Sequence, residues 1–296
     1  MTDKQDVAFV PHILPLVGAD PDKRPSAKIP GPMPVLLHYA PKPTKRIMIY
    51  VPGLIEGLPL TGRHDYRVLG RALDAIDCSL MLTQMSSAQW TPARRFETCA
   101  DDIRTAVEFA KSEGFTEIAL AGLSMGGPRV AYWNATYPDS AVKTIIFIAT
   151  IESSYLASAR NWTAEQKARH DATLDACRAA IAEGEPDRII PGELLGLPMP
   201  LSADVYISFL GQLDEMNAST IKFADKVTVP AAVIHSTEDV IAPPEGAQAI
   251  HDSLVNAPRR GLKWIEGGDH QLLTPNRVGE KTSAVIAEWI DGALGR

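Results

Sequence analysis

Short apolar runs alternate with stretches of helical period along most of this chain, and that alternation limits the folds open to it. Val35 to Tyr39, Arg46 to Val51, Ser79 to Leu82, Glu117 to Ala121 and Val142 to Ala149 read as strands. Between them lie helical segments. One runs from His64 to Ile76 through Leu69 and Leu73. A second is opened by Thr91-Pro92 and buries Phe96, Cys99, Ile103, Ala106, Val107 and Ala110 at a 3.6-residue period. A third covers 126–137 and stops before Pro138. The pattern resumes with a strand at Ala231 to His235, a helix near 244–254, a strand at Leu262 to Ile265 and a last helix burying Val285, Ile286, Trp289 and Ile290. Strands separated by helices form a mostly parallel sheet covered on both faces, so the expected class is α/β. Residues 151–223 break the rhythm, with helical segments near 163–183 and 202–214. They are expected to form a helical cap inserted between sheet strands, leaving 1–150 and 224–296 as the core.

Composition narrows the function. The 296 residues are 45% hydrophobic and 22% charged, the profile of a soluble globular protein. The net charge of -7 gives no basic face for phosphates, so nucleic acid is not an expected partner. Cys78, Cys99 and Cys177 are too few and too scattered for a disulfide framework or a structural zinc site. The N-terminal apolar patch is interrupted by Pro11 and Pro15 and lacks the marks of a signal peptide. No run of about 18 apolar residues appears, so no membrane span is expected, and the expected compartment is the cytoplasm. Self-association into a homo-oligomer is compatible with the sequence.

The strongest local signal is Gly122-Leu123-Ser124-Met125-Gly126-Gly127, a G-x-S-x-G between an expected strand and an expected helix. A serine on so sharp a turn projects its hydroxyl, and glycine two residues to either side avoids backbone clashes. The Met125 amide at the start of the following helix is a candidate oxyanion donor. A plain tight turn is the competing reading of the string, and the flanking strand and helix weigh against it.

A serine hydroxyl needs a base. Among seven histidines, His270 in Gly267-Gly268-Asp269-His270 follows a strand, where α/β sheets place ligand-contacting residues. Asp239, in Ser236-Thr237-Glu238-Asp239, also follows a strand and is the preferred partner for His270; Glu238 beside it and Glu152 after the preceding strand stay open. The order Ser124, Asp239, His270 matches Ser…Asp…His. A second oxyanion donor is expected from Leu54, after Pro52-Gly53, with Gly53 allowing close approach to substrate. No cofactor is implied: GxGxxG and P-loop patterns are absent, and no helix carries ligand-spaced residues for a metal.

These marks, GLSMGG, the acid loop HSTEDVIAPP and the GGDH loop, resemble the α/β-hydrolase superfamily over about residues 35–150 and 225–295. The resemblance implies a helical cap at 151–223. Many members carry His-Gly in the oxyanion loop where this chain has Pro52-Gly53. PGLIEGL and QMSSAQW are also similar to segments of the fungal siderophore-esterase group.

The expectation is therefore a serine hydrolase that cleaves a small or medium, moderately hydrophobic carboxylic ester through an acyl-enzyme. Trp90, Tyr155, Tyr206 and Phe209, with Gly53, are the expected substrate contacts. A thioesterase, lactonase or acyltransferase with the same triad is the alternative within enzymes. A non-catalytic ligand-binding protein of the same fold is the alternative outside them.

Overall fold

The computed structural model describes residues 7–16, 32–54, 66–86, 94–194, 197–274 and 277–295. Its centre is an eight-stranded sheet. The strands are β1 (Val10–Leu14), β2 (Met33–His38), β3 (Arg46–Val51), β4 (Ser79–Thr83), β5 (Glu117–Leu123), β6 (Val142–Ile148), and, after the long excursion, β11 (Ala231–Ser236) and β12 (Arg260–Ile265). Their order is β1-β2-β4-β3-β5-β6-β11-β12. From β4 to β12 all pairings are parallel, while β1 and β2 are antiparallel to their neighbours. The expected mostly parallel α/β sheet is thus present.

Each central strand sends alternate residues to opposite faces, as pleating requires. Ile47, Ile49 and Val51 of β3 and Ile118 and Leu120 of β5 belong to one apolar core. Met48, Tyr50, Ala119, Ala121 and Leu123 belong to the other. The first core is covered by α2 (Cys99–Ser112), α3 (Gly126–Thr136) and α7 (Pro244–Ser253). The second is covered by α1 (Tyr66–Asp74) and α8 (Arg277–Leu294), whose Ile286, Trp289 and Ile290 are buried. Trp289 also donates its indole N–H to Thr144 Oγ1 at 2.9 Å, so a polar group on β6 is satisfied inside this layer.

One difference from the sequence reading has a simple cause. The N-terminal segment broken by prolines forms β1, because Pro11 sits on an edge strand, where a missing N–H costs no ladder bond. The helix assigned to begin at Thr91-Pro92 has its start outside the described residues; a 3-10 turn at Phe96–Thr98 leads into α2.

Between β6 and β11 the chain forms the cap. It holds α4 (Ser154–Ala159), α5 (Ala164–Ala182) and α6 (Ala203–Leu210). Between α5 and α6 lie short strand pairs that the sequence did not signal: β7 (Ile189–Ile190) with β10 (Leu201–Ser202), and β8 (Glu193–Leu194) with β9 (Leu197–Pro198). The two chains entering and leaving the cap are pinned to each other. Ser154 N donates to Ala218 O at 2.9 Å and Thr220 N to Glu152 O at 2.8 Å. Helix α5 starts at a capping box in which Thr163 and Gln166 satisfy each other's backbone amides. Among the described residues no helix is long and apolar enough to cross a membrane.

Candidate active site

The sheet places its switch point between β3 and β5. The chain runs from β3 to β4 on one side and returns to β5 on the other. In open α/β sheets the crevice beyond such a reversal receives ligands. Val51 pairs with Gly122, so the loops that follow β3 and β5 leave the sheet side by side. One carries Gly53 and Leu54, the other Ser124.

Ser124 has φ 53°, in the left-handed region, at a cost of about 1–2 kcal/mol for a residue with a Cβ. The turn is held by its own backbone. Ser124 N donates to Ile148 O at 2.9 Å, and Ser124 O accepts from Gly127 N at 3.0 Å and Thr150 Oγ1 at 2.6 Å. The glycines are required by contact. A Cβ on Gly122 would stand 2.3 Å from Gly126 O, and one on Gly126 would stand 2.3 Å from Val51 O.

His270 Nε2 lies 2.9 Å from Ser124 Oγ, and His270 Nδ1 lies 2.8 Å from Asp239 Oδ2. Asp239 Oδ1 accepts the backbone amides of Ile241 at 2.9 Å and Ala242 at 2.8 Å. The carboxylate is therefore fixed by the loop, with one oxygen left for the imidazole. Exposure grades along the relay: Asp239 is 2% exposed, His270 8% and Ser124 9%, so its open end is the hydroxyl. Ser236 Oγ donates to Gly268 O, tying the acid loop to the histidine loop. Behind Asp239 lies His235, wholly buried, with Nε2 at 2.6 Å from Ala242 O; burial lowers its pKa, which favours the neutral ring. Of the two other carboxylates left open by the sequence, Glu238 is exposed, and Glu152 is buried against Arg160, whose Nη2 is 2.6 Å from Oε1.

The amides of Met125 and Leu54 have no hydrogen-bond partner among the described residues. Both lie beside Ser124: Met125 follows it, and a Cβ on Gly53 would stand 3.8 Å from Ser124 Oγ. One residue that the sequence reading missed controls the second amide. Arg129, 2% exposed, donates from Nη1 to Pro52 O at 3.0 Å and Gly53 O at 3.1 Å. In a planar trans peptide the N–H points opposite to the C=O. Drawing the Gly53 carbonyl toward Arg129 therefore turns the Leu54 N–H away from Arg129. The available signal was an arginine in the first turn of α3, where the helix dipole disfavours a cation.

The remaining expected contacts are dispersed. Tyr155 and Tyr206 lie in the cap beside Trp162 and His170. Phe209 is 3% exposed and packs edge-on against Phe96 at 5.4 Å between ring centroids. Trp90 lies outside the described residues. All three cysteines are buried; burial pushes the Cys78 thiol up to about 12 and Cys177 to about 11, so neither is a thiolate near neutral pH. Among the described residues no group of three His, Cys, Asp or Glu side chains is placed to hold a metal ion.

No protein-family model matches the chain. Solved structures do. DcsB in complex with its substrate analogue aligns with TM-score 0.68 and 15% identity over 97% of this chain and 100% of that one. The siderophore hydrolase EstB from Aspergillus fumigatus aligns with TM-score 0.66 and 14% identity over 99% and 98%. The chain has the α/β-hydrolase fold. Est1E from Butyrivibrio proteoclasticus, solved with ferulic acid bound, aligns with TM-score 0.62 and 17% identity over 90% and 96%. At these identities the likeness extends to the fold alone.

Proposed function

We propose that this α/β-hydrolase-fold protein is a carboxylic ester hydrolase working through an acyl-enzyme on Ser124. The observation that carries the reading is the unbroken relay from Ser124 Oγ through His270 to a backbone-anchored Asp239. Ser124 Oγ attacks the ester carbonyl carbon while its proton passes to His270 Nε2. The carbonyl oxygen becomes an oxyanion and accepts the Met125 and Leu54 amides. Asp239 stays ionised and stabilises the imidazolium through Nδ1. Collapse of the tetrahedral adduct breaks the bond to the alcohol oxygen, which leaves with the proton from Nε2. Water then attacks the acyl-enzyme, giving its proton to His270, and the second collapse returns that proton to Ser124 as the carboxylic acid departs.

In this reading 1–150 and 224–296 are the catalytic core and 151–223 a cap that selects the substrate, a small or medium ester of moderate hydrophobicity. Gly53 keeps the floor of the site low enough for the carbonyl to approach Ser124. The test is intact-mass analysis after exposure to a fluorophosphonate, followed by peptide mapping and an ester panel graded by acyl length. The expected result is one adduct on Ser124, none on the Ser124→Ala variant, and turnover lost with it. Folded protein that takes no adduct, or near-normal turnover by Ser124→Ala, overturns the mechanism.

A further inference from the structure

A cavity of about 260 Å³ lies inside the cap, between α4, α5, α6 and the β8–β9 pair. No residue of the Ser124, Asp239 and His270 relay lines it, nor does Gly53 or Leu54. One wall is aromatic. Trp162 and His170 lie 4.5 Å apart between ring centroids, and Tyr206 follows at 5.8 Å from His170. Gly192 lets the neighbouring strand pair close onto Tyr206, since a Cβ there would meet the ring at 2.8 Å.

The polar groups of this wall are incompletely used. His170 Nδ1 is 2.8 Å from Tyr206 Oη, whereas Nε2 has no protein partner among the described residues. His170 is buried, and burial lowers its pKa, so its ring is neutral at pH 7. Ser158 Oγ is buried with no hydrogen-bond partner, an arrangement that is unfavourable unless something binds there. Two opposite charges, both on exposed residues, are among its lining: Arg169 and Glu193, neither in an ion pair among the described residues. Elsewhere on α5, Lys167 is paired with Asp171 at 2.6 Å and Arg178 with Glu215 at 2.9 Å.

We propose that this cap cavity is a second binding site, for a small zwitterion with a flat ring: a free aromatic α-amino acid. Its carboxylate meets Arg169, its ammonium meets Glu193, and its ring lies along Trp162 and Tyr206. Ser158 Oγ and His170 Nε2 supply the remaining hydrogen bonds. A simple anion would leave Glu193 facing it, and a simple cation would face Arg169, so the pair of charges selects the zwitterion.

The site is tested with L-phenylalanine, 3-phenylpropionate and phenethylamine, by calorimetry and by the fluorescence of Trp162, with Trp162→Phe as the spectral control. Phenylalanine is expected to bind about three- to fivefold more tightly than either singly charged analogue, the scale of one exposed charge pair. Arg169→Gln should weaken phenylalanine and phenylpropionate by a similar factor and leave phenethylamine unchanged; Glu193→Gln should weaken phenylalanine and phenethylamine and leave phenylpropionate unchanged. Equal binding of the three probes, indifference to both substitutions, or no binding by folded protein at about 10 mM overturns the proposal. Binding is measured on Ser124→Ala as well and is expected to be unchanged, so that failure of the serine mechanism and failure of this site are read separately. Loss of phenylalanine binding on fluorophosphonate labelling of Ser124 would place the ligand in the catalytic crevice and sink the second site.

Discussion

Replacing Asp239 by Asn separates an orienting carboxylate from a mere structural one. Oδ1 of Asp239 sits between two backbone donors, the amides of Ile241 and Ala242 at 2.9 and 2.8 Å. In Asp239→Asn the amide oxygen has to take that position, because the NH₂ group there would face two N–H donors. Reversing it would forfeit two hydrogen bonds and leave donors opposed, a cost of roughly 2–4 kcal/mol, so the reversed rotamer is populated at a few per cent or less. The NH₂ is thus directed at His270 Nδ1, 2.8 Å from the other oxygen position. A donor facing Nδ1 forces the proton onto Nε2, and Nε2 then donates to Ser124 Oγ instead of accepting from it. On the proposed mechanism the base is then removed without moving an atom by more than a few tenths of an ångström. The expected loss in kcat/KM on a p-nitrophenyl ester is about 10⁴-fold, or ~5 kcal/mol of transition-state stabilisation. Unfolding midpoints should confirm that the variant is folded. Glu238→Gln, at an exposed position, should stay within about twofold of the parent. A loss below about tenfold in Asp239→Asn, or a larger loss in Glu238→Gln, refutes the assignment of the acid.

Other substitutions and conditions bear on the same frame. Arg129→Lys cannot bridge the Pro52 and Gly53 carbonyls with one planar group, so kcat should fall by about ten- to a hundredfold with little change in KM; an unchanged kcat would show that the Leu54 amide is oriented without it. Gly126→Ala places a methyl 2.3 Å from Val51 O and 2.9 Å from Pro52 O, both backbone, and should destabilise by at least ~2 kcal/mol in urea unfolding; a wild-type midpoint would contradict the packing described. The thermal midpoint should fall between pH 7.5 and pH 5. Burial lowers the pKa of His235 and His170 in the folded state, so below about pH 6.5 the unfolded chain binds more protons, and stability drops as pH falls. For His235 the loss begins as pH falls through about 6.5, whereas the carboxylates held low, such as Asp139 and Glu215, lose their contribution only at more acid pH. A midpoint flat from pH 7.5 to 5 would refute the buried neutral histidines.

What the sequence made legible was local. Gly122 is dictated by a contact inside the turn, with Gly126 O, and although Gly126 itself meets Val51 O far back in the chain, the fixed spacing of the two glycines about Ser124 lets a six-residue string reveal them. Asp239 and His270 were accessible because each follows a strand, and parallel strands deliver their following loops to one edge of the sheet. The illegible parts depend on partners far along the chain. Arg129 meets carbonyls 76 and 77 residues earlier, and nothing near Arg129 announces that pairing. Strand β1 was hidden because Pro11 is harmless only at a sheet edge, and strand order is not a local property. Tyr155 and Tyr206 carried the right chemistry for lining a pocket, but residue type could not say which pocket. Both cluster with His170 in the cap, and Tyr206 lines the cavity there.

Arg129 also explains how a cation can sit at the dipole-disfavoured end of α3. Its first turn contains no acidic residue, and Arg129 is nearly fully buried. A charge removed from water in that place requires strong acceptors, and the Pro52 and Gly53 carbonyls supply two of them. Those carbonyls can serve only if their peptide planes turn toward the arginine, and that same rotation aims the Leu54 amide away from it. The positive end of the helix and the guanidinium together raise the potential around Ser124, which favours negative charge on an oxygen held there. On the proposed mechanism, burial of Arg129, strain at Ser124 and the amides of Leu54 and Met125, unpartnered among the described residues, are three local costs with one common beneficiary, an anion forming beside Ser124 Oγ. Relaxing any one of them by substitution should stabilise or leave unchanged the resting fold more readily than it preserves turnover.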